Sequence, residues 1–392
     1  MPEDEKPYRR YKGGRAKGKV PRPAPLASAS GKGQRDGRGG DGPGPKRRSR
    51  PRWGLRIGLT LLLLLLAAAG WGVASYLSFS DGVTDANGRL PKAVESSLAQ
   101  QEGPLLSKPT LLLLLGTDGD RTAARSDVSR SDSILLVRTD PSRHRMAFLS
   151  IPRDLRVDVP GHGEKRINAA FQLGGPALAM RTIAALTGLK ANHVALVDFD
   201  DFRTVIDALG GIELTVPKPI LSNRFDCPYA TQARCRQWEG WRFEKGTQQL
   251  SGKRALIYSR IRENRLDPAE NDLTRGERQQ EVVQAIAGKL TSVRTFGRLP
   301  FVGGDLVAPL TTDLSAPELV QLGWVYKRAN RSRALHCRLG GELASVGGQS
   351  VILGDQENFA VIAMFRGSSA PQPPPPGQPL AGGCIVGRPS PG

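Results

Sequence analysis

Short, uninterrupted apolar runs alternate along the chain with segments whose apolar residues recur at helical spacing. TLLLLLGTD (110–118), SILLVRTD (133–140) and HVALVDF (193–199) are runs of strand length. PALAMRTIAALTGL (176–189) and TRGERQQEVVQAIAGKL (274–290) show the helical pattern. Strands that are apolar on both faces and alternate with helices are typical of a sheet covered on both sides. The pattern therefore predicts an α/β fold class.

Weaker patterns supply the remaining elements. These are a strand at RMAFLSIPRDLRVDVP (145–160) that Pro152 interrupts, a helix at DDFRTVIDALGG (200–211), a strand at IELTVP (212–217), an extended segment at YSRIRENR (258–265), and the closing pair SVILGD (350–355) and ENFAVIAMFRG (357–367). Proline cannot donate a ladder hydrogen bond, and glycine closes helices, so both residues mark ends of elements here.

One apolar run differs from all the others in length. IGLTLLLLLLAAAGWGVASYL (57–77) has 21 residues without a charge. At about 1.5 Å per residue such a helix spans a hydrocarbon core of about 30 Å. The preceding PKRRSRPRWGLR (45–56) is basic, so the positive-inside rule places residues 1–56 in the cytoplasm and 78–392 outside. A cleavable signal peptide with a GVAS site is the alternative, but the length of the run favours an anchor.

The net charge of +19 is concentrated before this run, because residues 1–56 hold 17 Lys and Arg against 5 Asp and Glu. Their Gly, Pro, Arg and Lys content predicts a disordered tail. Basic runs beside a membrane span usually meet lipid headgroups, so we expect no nucleic-acid partner. Residues 78–104 are predicted to be a juxtamembrane spacer, 105–367 the folded extracellular domain, and 368–392 a Pro-rich C-terminal tail.

All four cysteines follow the predicted span. An even number of cysteines in an oxidising compartment suggests two disulfides, and we pair Cys227 with Cys235 and Cys337 with Cys384. Four free thiols are the alternative, and the absence of C-x₂-C spacing disfavours a metal site.

Familiar hydrolase and nucleotide motifs are absent from the sequence. It contains no H-E-x-x-H, no G-x-S-x-G and no G-x-x-x-x-G-K-[ST]. Acidic residues remain, and Asp118 ends the first predicted strand while Asp132 opens the second. Two carboxylates at adjacent strand ends suit Mg²⁺, which prefers oxygen ligands and often shares phosphate oxygens. The alternative is that both residues cap turns.

Several arginines are predicted to point inward. Arg153 follows an apolar strand, Arg260 and Arg262 share one face of the predicted extended segment, and Arg275 with Gln279 lies on the apolar stripe of a helix. A buried Arg must be paired or must hold an anion, and its planar fork suits phosphate oxygens. The alternative is an internal ion-pair network with the carboxylates of Asp118, Asp132, Asp154 and Asp272.

Arg278 lies one position before Gln279 and is therefore rotated away from the apolar stripe. We expect it at the rim of the site.

The motifs from Leu105 to Gly367 resemble the LytR–CpsA–Psr family of cell-wall polymer ligases. The matching pieces, in order, are LLLLGTD, RSDSILLVRTD, LSIPRDLRVDVPG, RINAAFQLGG, VDFDDFRTVIDALGGIELTVPKPI, KGTQQLSGKRALIYSRIR and RGERQQEVV. The resemblance implies an αβα sandwich with a mixed central sheet, preceded by one transmembrane helix. It also implies a pocket for a polyprenyl-pyrophosphate lipid, with Mg²⁺ on the pyrophosphate.

The resemblance also implies roles for individual residues. Asp118 and Asp132 correspond to the metal carboxylates. The pyrophosphate-binding residues correspond to Arg130, Arg153, Arg260, Arg262, Arg275 and Gln279. Catalytic roles are expected for Arg153 and Asp272. Of two RSD triplets, 125–127 and 130–132, the second abuts SILLV as the family motif does. Arg166 stands where lysine is common.

The activity that the resemblance implies is a phosphotransferase that moves a glycopolymer from a polyprenyl-pyrophosphate carrier to peptidoglycan. A non-catalytic module that binds the polyprenyl lipid is one alternative. A pyrophosphatase that acts on the same lipid, with water as the acceptor, is the other.

Overall fold

A computed structural model describes residues 53–117, 131–267, 270, 272–378 and 380–387. It gives Asp132, Asp272 and Leu273 a place in the backbone but no side-chain environment. Asp118 and Arg130 lie outside the described residues. The chain divides into units 1–58 and 59–392, and the architecture below is that of the second unit.

The helices of the described residues are α1 Trp53–Gly88, α2 Lys92–Glu95, α3 Asn168–Thr187, α4 Phe199–Ala208, α5 Gln232–Gln237, α6 Gly252–Arg260, α7 Asp272–Leu290, α8 Val293–Val307, α9 Ala316–Arg328 and α10 Glu357–Arg366. The strands are β1 Thr110–Thr117, β2 Ser131–Asp140, β3 Arg145–Ser150, β4 Leu155–Val159, β5 Gly163–Arg166, β6 His193–Asp198, β7 Ile212–Val216, β8 Ile220–Leu221, β9 Arg242–Phe243, β10 Gly246–Leu250, β11 Thr311–Thr312, β12 Leu335–Arg338, β13 Glu342–Val346, β14 Gln349–Leu353 and β15 Gly383–Val386.

A seven-stranded sheet forms the centre of the domain, in the order β11-β6-β1-β2-β3-β12-β15. β1, β2 and β3 form an antiparallel meander, whereas β6 runs parallel to β1 and β12 runs parallel to β3. The sheet is therefore mixed, and the predicted fold class is confirmed.

Alternate residues of the central strands bury against two different helical layers. Leu113 and Leu136 belong to a core shared with α3 and α10, whereas Leu112 and Leu135 belong to a core shared with α7 and α9. Both faces of the strands are thus apolar because both are covered. This arrangement explains why the strands appear in the sequence as continuous apolar runs.

The segment 252–260 is helical, and the prediction of an extended segment at 258–265 was wrong over its first part. Ser251 caps α6, because its side chain accepts a hydrogen bond from the backbone N–H of Arg254 at 3.4 Å. Ala255, Ile257 and Tyr258 are buried in one cluster with β7 and α7. Tertiary packing of this helix overrides the alternation of polar and apolar residues that suggested a strand.

The structure joins Cys227 to Cys235 and Cys337 to Cys384, which are the pairs that the sequence predicts. Cys337 and Cys384 are direct neighbours across β12 and β15. The C-terminal segment therefore returns to the domain and adds an edge strand to the central sheet.

His336 on β12 is buried between the sheet and α7. Its ring stacks on Phe148 at a centroid distance of 5.1 Å, and its Nδ1 lies 2.8 Å from the Oε1 of Gln280. Burial lowers the pKa of His336 to about 4. Burial disfavours the charged imidazolium, so the folded protein holds this side chain neutral at pH 7.

The lowered pKa of His336 predicts a loss of stability in acid. Between the unfolded pKa of 6.5 and the folded pKa of about 4, the unfolded chain binds a proton that the folded chain does not. The free energy of unfolding therefore falls as the pH falls through this window, by at most about 3 kcal/mol. We expect His336→Gln, which keeps a polar group but cannot titrate, to flatten this dependence in denaturant titrations. Identical slopes for the two proteins would contradict the assignment.

Candidate functional site

A cavity of about 510 Å³ lies between the central sheet and α7. Along α7, the residues that face the cavity are Arg275, Gln279, Val282, Val283, Ile286, Ala287 and Leu290. This spacing traces one face of the helix over about 22 Å, at about 1.5 Å per residue. The cavity is therefore polar at the start of α7 and apolar towards its end.

The polar end gathers three of the predicted arginines. Arg260 is the last residue of α6, and it is followed by Arg262 in the next loop and Arg275 in the first turns of α7. Arg260 pairs with Asp226 and lies over the ring of Phe199, with 4.6 Å between its Cζ and the ring centroid. The structure thus brings residues from three separate segments to one end of one cavity.

Arg275 and Gln279 are one helical turn apart and face the same space. Only 5% of Arg275 is exposed, so its guanidinium is largely withdrawn from solvent. The Oγ of Ser133 donates a hydrogen bond to the Oε1 of Gln279 at 2.8 Å, and the Nε2 of Gln279 donates to the carbonyl of Ser259 at 3.5 Å. These bonds fix the Gln279 amide between β2 and α6.

Arg153 lines a neighbouring cavity of about 650 Å³, and Arg262 contributes to both cavities. The Nε of Arg153 lies 3.4 Å from the Oδ2 of Asp154, and the Nη1 of Arg166 lies 3.3 Å from the Oδ1 of the same carboxylate. The Asp154 part of the alternative, an internal ion-pair network of the inward arginines, is thus present. Arg153 and Arg166 are thus held beside one carboxylate at the wall of this cavity.

β1 ends at Thr117, directly before Asp118 in the sequence, and it pairs with β2, the strand that contains Asp132. Gly116 pairs with Ser133 and Thr117 pairs with Ser131, so the register shifts at Asp132. Such bulges often lie beside functional sites. Asp118 directly follows β1 in the sequence. Carboxylate oxygens are the ligands that Mg²⁺ prefers, and the metal pair Asp118 and Asp132 stays a prediction from the sequence.

Arg278 is buried, and the prediction that it lies at the rim was wrong. It is 5% exposed, pairs with Glu270, and its Nη1 donates to the carbonyl of Ile261 at 3.0 Å. Burial raises the pKa of the neighbouring Glu281, whose Oε2 accepts a hydrogen bond from the Tyr258 hydroxyl at 2.8 Å. These contacts hold the opposite face of α7, and they orient Arg275 and Gln279 towards the cavity.

Other polar residues of the site were not singled out in the sequence. Ser133, Asn223 and Ser259 line the polar end of the cavity. Serine and asparagine are common in turns and caps, so their identity alone carries no signal for a binding site.

A family model described as the LytR_cpsA_psr family matches residues 75–364. The chain belongs to this family. The match includes the whole central sheet up to β12 and every cavity-lining segment named above. The predicted family membership is thereby confirmed.

Among members of the LytR–CpsA–Psr family, the chain is 32% identical over 234 residues to the regulatory protein MsrR of Staphylococcus aureus (strain COL). It is 28% identical over 240 residues to the polyisoprenyl-teichoic acid–peptidoglycan teichoic acid transferase TagV of Bacillus subtilis (strain 168). These matches cover 59% and 60% of this chain, but 64% and 58% of the two relatives. The chain thus spans less than two thirds of the length of either relative.

Solved structures of the family share the fold. The crystal structure of Bacillus subtilis TagV matches with a TM-score of 0.54 and 25% identity, over 67% of this chain and 97% of that one. TagT with bound octaprenyl pyrophosphate lipid matches with a TM-score of 0.50 and 25% identity, over 68% of this chain and 92% of that one.

Proposed function

We propose that this protein is a membrane-anchored phosphotransferase that moves a glycopolymer from a polyprenyl-pyrophosphate carrier to peptidoglycan outside the cell. The observation that carries the proposal is the two-ended cavity, with arginines at one end and aliphatic side chains along the remainder. A polyprenyl pyrophosphate has the same division between a charged head and an apolar tail. The names of TagV and of the lipid-bound TagT structure support this substrate class.

The arginines bind the pyrophosphate and offset its charge. A hydroxyl oxygen of the peptidoglycan acceptor attacks the phosphorus nearest the polymer, and polyprenyl phosphate leaves with the bridging oxygen. Negative charge grows on that leaving group, where fixed guanidinium groups stabilise it without reorganisation. Arg260, Arg262 and Arg275 serve this role in the main cavity, and Arg153 serves it from the neighbouring one.

Asp118 and Asp132 would hold Mg²⁺ at the end of β1. The ion, when bound, supplies positive charge to the pyrophosphate oxygens. Asp272, the first residue of α7, and Arg130 complete the proposed catalytic and binding set by their place in the sequence motifs.

Anchoring rests on α1. It is the one helix among the described residues that is long and apolar enough to cross a membrane, with a mean hydropathy of 2.2 in its most apolar window. The basic residues that precede it favour a cytoplasmic N-terminus. We assign the domain to the outer face of the cell membrane on this basis.

Transfer by the full-length protein in liposomes tests the proposal. We expect product from a polyprenyl-pyrophosphate glycan only when a peptidoglycan oligomer is present, and more product with Mg²⁺ than with a chelator. Polymer released without an acceptor would identify a pyrophosphatase instead. Tight lipid binding without turnover across several donor glycans would identify a binding module.

A further inference from the structure

The domain covers one face of α1 from Trp71 onward. Residues 59–70 are all exposed, whereas Trp71, Ser75, Gly82 and Ala86 are partly or fully buried at helical spacing. Trp71 lies six residues before the end of the predicted span at Leu77, which is about 9 Å along a helix. Contact between the domain and the helix thus begins inside the apolar run.

The element that reaches Trp71 is α8. The Trp71 ring lies 4.6 Å from the Phe296 ring, and its Nε1 donates to the carbonyl of Gly297 at 3.4 Å. Further along both helices, the backbone N–H of Gly304 donates to the Oγ of Ser78 at 3.1 Å. The two helices therefore run side by side in the same direction, and the N-terminal end of α8 lies level with Trp71.

The outward face of α8 is apolar and cationic. Phe301 is 82% exposed and Val293 is 80% exposed, and they lie eight residues apart on the same side of the helix. Arg294 and Arg298 are exposed beside them. Exposed aromatic and aliphatic residues flanked by cations are typical of helix faces that contact a bilayer near its headgroups.

We propose that α8 enters the outer leaflet beside α1, N-terminal end first, with Val293 and Phe301 against the acyl chains and Arg294 and Arg298 extended to anionic headgroups. The bilayer is the occupant because α8 is packed on the segment of α1 that leaves it. Tryptophan prefers this interfacial depth, which agrees with the position of Trp71. The proposal rests on the proposed anchoring by α1.

This position gives α8 a role for the cavity. α8 follows α7 after two residues, and Leu306 of α8 and Leu290 of α7 both line the apolar end of the cavity. If α8 lies in the leaflet, the apolar end of the cavity lies beside the acyl chains. A polyprenyl tail could then pass from the bilayer into the cavity without crossing water.

Depth-dependent quenching in liposomes tests the proposal with the full-length protein. A bimane fluorophore is attached to Phe301→Cys, to Phe359→Cys, or to Val73→Cys, and lipids carry a doxyl group high on the acyl chain. Phe359 is a matched control, since it is 71% exposed on α10, which packs beside β12 and β15. These strands lie at the opposite edge of the sheet from β11, which follows α8. We expect quenching at 301 to exceed quenching at 359 by at least about twofold.

The label at Val73 separates the two proposals, because Val73 lies within the predicted span and is 59% exposed. If the label at position 73 is quenched but the labels at positions 301 and 359 are quenched equally weakly, the proposed position of α8 is overturned and the proposed anchor stands. No quenching at 73 would overturn the anchor, and the position of α8 with it.

A functional readout supplements the labels. We expect Phe301→Asp to slow transfer when the donor lipid is in a bilayer and to leave transfer unchanged when the donor is dispersed in detergent. Phe359→Asp should slow neither. Equal rates of wild type and Phe301→Asp with the bilayer donor would contradict the proposal.

Discussion

Arg275→Gln is expected to lower the rate of glycopolymer transfer by about 10²- to 10³-fold, the usual effect of removing one preorganised charge-stabilising group. Arg275 lines the polar end of the cavity and is 5% exposed. Its guanidinium therefore acts in a largely water-excluded site, where charge interactions are less screened than at the surface. Glutamine keeps a polar side chain, although a shorter one, and removes the positive charge that the proposed mechanism places beside the leaving group. The measurement is kcat/KM with a polyprenyl-pyrophosphate donor.

Arg181→Gln is the matched control, because Arg181 is exposed on α3, in the layer on the other side of the central sheet. It should transfer at the rate of the wild type. Thermal unfolding of Arg275→Gln must remain cooperative, so that loss of charge is measured in a folded protein. Full transfer activity in a folded Arg275→Gln would show that the pyrophosphate lies elsewhere.

The elements that the sequence predicted well are those whose own residues are buried on every side. β1, β2 and β6 are covered by helices on both faces, so their apolar runs were unambiguous. α8 was not predicted. Its segment VRTFGRLPFVGGDLV contains three glycines and a proline, and these residues weaken the sequence signal for a helix.

The site residues that lie on one helix could be predicted from the sequence, whereas contacts between segments distant in the sequence could not. Arg275 and Gln279 follow from the phase of α7 alone. Arg278 lies on the same helix, but its carboxylate partner Glu270 comes from the preceding irregular segment, and sequence spacing does not place that contact. The cavity shared by Arg153 and Arg262 likewise depends on the packing of two loops that no local pattern encodes.

Ala287→Trp is expected to select against long polyprenyl donors. Ala287 faces the apolar end of the 510 Å³ cavity, between Ile286 and Leu290 along α7, so an indole there would fill space that the lipid tail requires. Each methylene kept out of the cavity forfeits about 0.8 kcal/mol of burial. Exclusion of part of one isoprene unit would thus lower kcat/KM for a long-chain donor by about 10- to 100-fold.

The effect of tail length is isolated by measuring kcat/KM of each protein with a long donor and with a short donor. A geranyl tail has only two isoprene units, whereas Ala287 lies twelve residues, or about 18 Å, beyond Arg275 along α7. Ala287→Trp should therefore use a geranyl pyrophosphate-linked glycan as well as the wild type does. Ala185→Trp, on the exposed surface of α3, should leave both donors unaffected. If Ala287→Trp retained full activity with the long donor, the tail would not occupy this cavity. Loss of activity with both donors would mean that the indole had displaced Arg275 on the same helix. Ala287→Leu, a smaller change, then tests the dependence of kcat/KM on tail length.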